Sequence, residues 1–157
     1  MQRDYCLREA TGADAGVIAE QRAQMFFDMG LVSEEEARLL AEAARPWLLR
    51  LIERGEYVGW VMESGEAVVA GGGLHLRELG PVPGCLRVGR AAHLVNVYTA
   101  PAWRRLGLAR RVMEAMLGWC AAEGIDQVTL SASEEGRALY EALGFVKGAE
   151  MRLVREA

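Results

Sequence analysis

Apolar and polar residues alternate over residues 4–11, DYCLREAT, which predicts a short strand with one buried face. Thr11-Gly-Ala-Asp14 then resembles a capping box with Asp at its fourth position. Behind it Val17, Ile18, Met25, Phe26 and Met29 recur near the helical period, and Gly30 supplies a stop. Ser33-Glu-Glu-Glu36 opens a second helix, whose apolar stripe runs through Leu39, Leu40, Ala43, Trp47, Leu48, Leu51 and Ile52. Pro46 lacks a backbone donor and clashes with the preceding turn, so it is expected to kink or split that helix. Residues 56–63 and 66–76 read as a hairpin joined at Ser64-Gly65. Residues 80–89, with Pro81, Pro83 and Gly84, read as a loop. A mostly buried strand, AAHLVNVYT, covers 91–99. A long helix fills roughly 105–123, with Ala109, Val112, Met113, Met116, Leu117 and Cys120 on one face and Gly124 after it. Residues 126–132 form a strand, Ser133 starts a helix to about Leu143, and after Gly144-Phe145 a last strand covers 149–154.

The order of elements is thus β-α-α-β-β-β-α-β-α-β. The first half reads as antiparallel, and the strand-helix-strand unit of the second half implies a right-handed crossover between parallel strands. An α/β domain over residues 1–157, with a mixed and mostly antiparallel sheet and helices on both faces, is the expected architecture. A chain of this length fits one domain with a real core.

Composition narrows the partners. The net charge of −4 argues against a nucleic-acid surface, and Arg104, Arg105, Arg110 and Arg111 lack the interleaved aromatics of a nucleic-acid patch. Cys6, Cys85 and Cys120 are odd in number and widely spaced, forming neither a metal signature nor a disulfide framework, which points to a reducing, cytoplasmic setting. No apolar run resembles a signal peptide or approaches the ~18 residues of a membrane span. Neither a metal nor a membrane partner is therefore expected.

The most informative stretch is NVYTAPAWRRLGLARRVMEAML, residues 96–117. A buried strand ends at Thr99, and a proline-containing turn leads into Arg104-Arg105-Leu106-Gly107-Leu108-Ala109 at a helix start. Such a start offers unpaired backbone N–H groups and the positive end of the helix dipole. Gly107 has no Cβ to keep an anion away, so the segment is suited to cradle phosphate. There is no G-x-x-x-x-G-K-[ST] motif, and Gly71-Gly72-Gly73 lacks the following helix of a dinucleotide fingerprint. That triplet reads as a strand bulge or a close backbone approach.

Arg104-x-x-Gly107-x-Ala109 after a strand resembles the pyrophosphate loop of the GCN5-related N-acetyltransferase (GNAT) superfamily. Leu139-Tyr140-Glu141-Ala142-Leu143-Gly144-Phe145 resembles that family's second helix end, and the element order matches over nearly the whole chain. The resemblance implies an acetyl-CoA-dependent N-acetyltransferase acting on a primary amine in a ternary complex. It implies cofactor contacts from Val97, Tyr98 and Thr99, from Arg104, Arg105, Leu106, Gly107, Leu108, Ala109 and Arg110, and from Ser133, where the family often has Asn. The backbone N–H of Val97 or a neighbour would polarise the thioester carbonyl. Tyr140 stands where the family places the general acid, and His93 where some members carry a glutamate base. On pattern alone Tyr140 reads as a core tyrosine, and His75 and His93 as satisfied strand histidines. The helices over 13–54 would build the acceptor pocket, with Met25 and Phe26 near it. An acyl-CoA-binding sensor module is the alternative reading. A homodimer through a sheet edge or the C-terminal strand is compatible with the pattern.

Overall fold

The computed structural model describes residues 4–155 and arranges five strands in the order β1-β2-β3-β4-β5. They are β1 (Cys6–Glu9), β2 (Tyr57–Ser64), β3 (Ala67–Leu79), β4 (Gly89–Thr99) and β5 (Gln127–Leu130). The first four pair antiparallel, and β5 joins β4 in parallel. That mixed arrangement is the expected one.

Two helices precede β2, namely α1 (Ala15–Asp28) and α2 (Glu34–Glu53); α3 (Leu108–Ala122) and the short α4 (Arg137–Ala142) follow β4. The apolar sides of α1 and α2 meet one sheet face: Ile18, Ala19 and Leu48 pack with Tyr57 and Val61. On the other face Val112, Met113 and Met116 of α3 pack on Trp60, Met62, Leu74 and Leu94. The even and odd positions of β2 thus supply two cores, because side chains alternate across a sheet. Each fully buried Leu or Met among them contributes about 2 kcal/mol, which fixes the sheet register.

The start signals at Thr11 and Ser33 behave as read, whereas the helix expected from Ser133 begins at Arg137. Asp14 accepts the Thr11 N–H at 2.8 Å, and a 3-10 turn over Gly12–Asp14 leads into α1. Ser33 Oγ accepts the Glu36 N–H while the Glu36 carboxylate accepts the Ser33 N–H, both at 3.2 Å. Pro46 does not split α2, which runs unbroken through it. The proline costs one intrahelical bond, and the buried Leu48 side and the Ser33 cap hold the helix on either side.

One predicted element is absent. Residues 149–154 form no strand, and Met151, Leu153 and Val154 are exposed. A strand exists only through its ladder partner, and β5 is only four residues long and bonded to β4 alone. No helix is long and apolar enough to cross a membrane among the described residues.

Candidate active site

At the centre of the sheet β3 and β4 fall out of register. Gly73 faces Val95, but Gly71 faces Tyr98, so β4 carries an extra residue there. Asn96 absorbs it with φ 59°, a left-handed conformation that asparagine tolerates better than most residues. The pairing of β4 with β5 ends at Leu94 opposite Leu130. From Val95 to Thr99, β4 therefore has a strand neighbour on its β3 side only among the described residues, which leaves the edge at Val97 without a ladder partner.

The glycine triplet is required by this crowding. A Cβ at Gly73 would lie 2.0 Å from the Tyr57 hydroxyl, one at Gly71 2.8 Å from the Trp60 carbonyl oxygen, and one at Gly72 2.9 Å from Met116 Cε. Helices on both faces close on this part of β3, so the close-approach reading of the triplet holds.

The helix start after β4 has the geometry of an anion cradle. Arg105 (φ 63°) and Gly107 (φ 76°) are both left-handed, so the chain turns sharply before α3 begins at Leu108. Gly107 is the N-cap and has no side chain to offer, and the first turn of α3 contains no acidic residue. Its N–H groups and dipole are thus left for an outside anion. Nothing lies within 4 Å of where a Gly107 Cβ would stand. Close by in sequence, Thr99 Oγ1 is buried without a hydrogen-bond partner among the described residues, which costs stability unless a ligand satisfies it. Leu108 is buried and anchors the turn, Ala109 is half-buried, and Arg105, Leu106 and Arg110 are exposed.

The arginines diverge from one another. Arg104 is engaged by the protein: its Nε donates to the Thr99 carbonyl at 2.9 Å, its terminal nitrogen donates to Asp28 at 2.7 Å, and its guanidinium lies over the Tyr98 ring at 5.8 Å. Arg110 pairs with Glu114 one turn on, at 3.0 Å. Arg105 makes no ion pair among the described residues, which leaves its charge available to an anion at the loop.

Tyr140 packs against the α3-side core to which Val97 also belongs. Burial raises its pKa, and a hydrogen bond from the Ser133 side chain partly offsets this. Ser133 Oγ also accepts the Gly136 N–H at 3.1 Å, so it organises the turn before α4. The Phe145 ring stands edge-on to Tyr140 at 6.3 Å. His93 lies on the opposite face of β4, in register with His75 across the β3–β4 ladder and hydrogen-bonded through Nδ1 to Thr129 Oγ1 at 2.7 Å.

That second face also holds residues not singled out from the sequence. Arg22 of α1 donates to the Asn96 amide oxygen at 2.8 Å, and the Asn96 amide donates to the Tyr57 hydroxyl at 3.2 Å. Burial pushes the Tyr57 phenol up to about 12, while Asn96 and the Arg22 charge pull the other way. His75, tilted against Trp47 and edge-on to Tyr57, is lowered by burial and by the charges of Arg22 and His93. Asn96, a polar residue with low strand propensity inside an apolar run, was the available signal. Two surface cavities lie elsewhere, one between α1 and α2 beside Phe27 and Arg38, the other near Arg87 and Asp126. Among the described residues no group of three or more His, Cys, Asp or Glu is placed to hold a metal ion.

Comparison with known proteins follows this geometry. The family model for the Acetyltransferase (GNAT) family matches residues 20–145. No curated protein matches the chain. A GCN5-related N-acetyltransferase from Ralstonia eutropha JMP134 has 29% identity and a TM-score of 0.88, covering 97% of this chain and 99% of that one. A predicted acetyltransferase from Clostridium acetobutylicum, solved with acetyl-CoA, has 20% identity and a TM-score of 0.84, covering 97% of this chain and 96% of that one. A glucosamine-6-phosphate N-acetyltransferase from Arabidopsis thaliana has 19% identity and a TM-score of 0.66, covering 98% of each chain.

Proposed function

Because the chain belongs to the GNAT acetyltransferase family, we propose that it transfers an acetyl group from acetyl-CoA to a primary amine by direct attack in a ternary complex. The observation that carries this reading is the junction of β4 and α3. An uncapped helix start with open space before Gly107 follows a bulged strand whose edge at Val97 lies beyond the end of its β5 pairing. Backbone N–H groups from Arg105 to Arg110 hold the pyrophosphate, with Arg105 as its counter-charge. Leu106, Leu108 and Ala109 contribute backbone. Thr99 Oγ1 offers the pantetheine arm a side-chain donor and Ser133 Oγ an acceptor, and Val97 to Thr99 contact it through the edge of β4.

The chemistry needs three proton and charge movements. An alkylammonium, with pKa near ~10.4, must first lose a proton, and His93 receives it on the acceptor face. The neutral amine attacks the thioester carbonyl, whose oxygen develops negative charge against the Val97 N–H. The C–N bond forms, the C–S bond breaks, and the CoA thiolate takes a proton from Tyr140, whose phenol is restored by the second proton that the nitrogen sheds on becoming an amide. A tyrosine phenol is protonated near neutral pH and so has a proton to donate.

The test is thiol release from acetyl-CoA across a panel of amines, with a no-amine control. Release that depends on one class of amine is expected. A protein that binds acetyl-CoA but releases no thiol with any amine would reject transfer in favour of an acyl-CoA-binding module.

A further inference from the structure

Two cationic side chains are drawn out of the exposed surface among the described residues, Arg8 and Arg22. Their surroundings differ in one respect. Arg8 is neutralised by Asp14 at 2.8 Å and Glu63 at 2.9 Å. Arg22 is half-buried and meets no carboxylate: its one hydrogen bond goes to the neutral Asn96 amide. The groups that face it from the surrounding elements are Phe26 at 5.0 Å, Trp47 at 5.5 Å, Tyr57 and His75. Asp28, the acid at the end of the same helix, is held by Arg104. Burial accordingly pushes the Arg22 guanidinium below its ordinary pKa, with no carboxylate acting against it.

A desolvated guanidinium without a counter-ion is costly, and rings offset only part of that cost. A guanidinium has five donors in a planar fork, and Arg22 uses one of them on a protein acceptor. The fork is the group best matched to a carboxylate or phosphate. Its position sets what such an anion would do. Asn96, to which Arg22 is bonded, directly precedes Val97, and both lie at the bulge. An anion on Arg22 thus sits one residue from the proposed carbonyl-polarising N–H, on the face that also carries His93.

From these observations we infer that the acceptor is an amine bearing an oxyanion close to its amino group, an α-amino carboxylate in its simplest form, and that Arg22 is the residue that recognises that oxyanion. This rests on the acetyl-transfer reading for the identity of the amine. The Phe26 and Trp47 rings wall the guanidinium and hold its plane, so the anion is met by an oriented fork.

The experiment measures kcat/KM for three acceptor sets: L-amino acids, their carboxamides, and 2-aminoethyl phosphate. The wild type is expected to prefer acids to the matching amides by about tenfold or more, the scale of one charge-assisted hydrogen-bond pair. In Arg22→Gln that ratio is expected to fall to about unity, a change that a merely structural role would not produce. A preference for the phosphate keeps the oxyanion site and changes its source. Equal rates on acids and amides in the wild type, or an unchanged ratio in R22Q, overturn the inference. Should R22Q not fold, Arg22→Lys replaces it, with a smaller but measurable drop because an ammonium cannot form the fork. Should no amine be acetylated, the transfer reading fails, and calorimetry decides the anion site by itself. N-acetylphenylalanine or inorganic phosphate binding the wild type and not the variant would support it; equal binding, or none, would overturn it.

Discussion

A single methyl group at Gly136 is expected to damage catalysis while leaving the fold intact. Gly136 has φ −85° and ψ −15°, so alanine is unstrained there. Its Cβ would, however, lie 2.6 Å from Tyr140 Cε2, 2.7 Å from Cζ and 2.8 Å from Oη. To reach ordinary contact near ~3.5 Å the ring must move by about 1 Å. Tyr140 is half-buried, and the Phe145 ring on one side and the Ser133 hydroxyl on the other define where its phenol points. A displacement of that size at a proton donor costs up to about 100-fold in rate, against the ~100-fold or more that a general acid supplies. Gly136→Ala should therefore lower kcat for amine acetylation by roughly 10- to 100-fold, with less than about 1 kcal/mol lost in thermal unfolding. Steady-state thiol release gives kcat and the KM for acetyl-CoA, and a melting curve gives the stability. In a Tyr140→Phe background the same alanine should have little further effect on kcat, because the proton donor is already gone. Wild-type kcat in G136A, or an equal loss in both backgrounds, would refute the argument that Gly136 acts by seating Tyr140.

Three further outcomes follow from the same structure. Gly107→Trp should weaken CoA binding at least tenfold in calorimetry, because the side chain fills the space in front of the α3 start, and unaltered affinity would show that phosphate binds elsewhere. His93→Gln should lower kcat/KM near pH 7 by ~100-fold, and the deficit should shrink as rising pH deprotonates the amine without help; a deficit constant with pH would remove His93 as the base. Tyr57 is held up to about 12 by burial, so its neutral form is favoured in the fold: the stabilisation is complete below the unfolded value of 10.0 and is lost as pH rises through the folded value. Wild-type stability should then fall by up to about 1.4 kcal/mol per pH unit over that window, whereas a Tyr57→Phe chain lacks this loss; identical slopes in urea titrations would contradict the assignment.

How far the sequence could be read depended on whether a signal was local. Ser33-x-x-Glu36, the alternation across β2 and β3, and the Met113/Met116 stripe are local, and each forms the element expected of it. The ends of elements were less legible. The helix expected from about 105 begins at Leu108, because Arg105 and Gly107 adopt left-handed turns that spacing alone does not reveal. Residues 149–154 carry a strand-like alternation, but pairing is a long-range matter, and the segment has no ladder partner. The residues from Arg105 to Arg110 fall together at one helix start. Arg104 pairs with Asp28, distant in sequence, a contact that spacing alone does not reveal. Arg22 was invisible for a related reason: its significance lies in the absence of a carboxylate around it, which only the packing of α1 on β4 reveals.

The measurement closest to the central claim is initial velocity over a grid of acetyl-CoA and amine concentrations. Direct attack in a ternary complex predicts a rate that requires the amine, with double-reciprocal lines that intersect. Parallel lines would mean that the acetyl group is first parked on the enzyme, and a rate indifferent to the amine would mean that no transfer to it occurs.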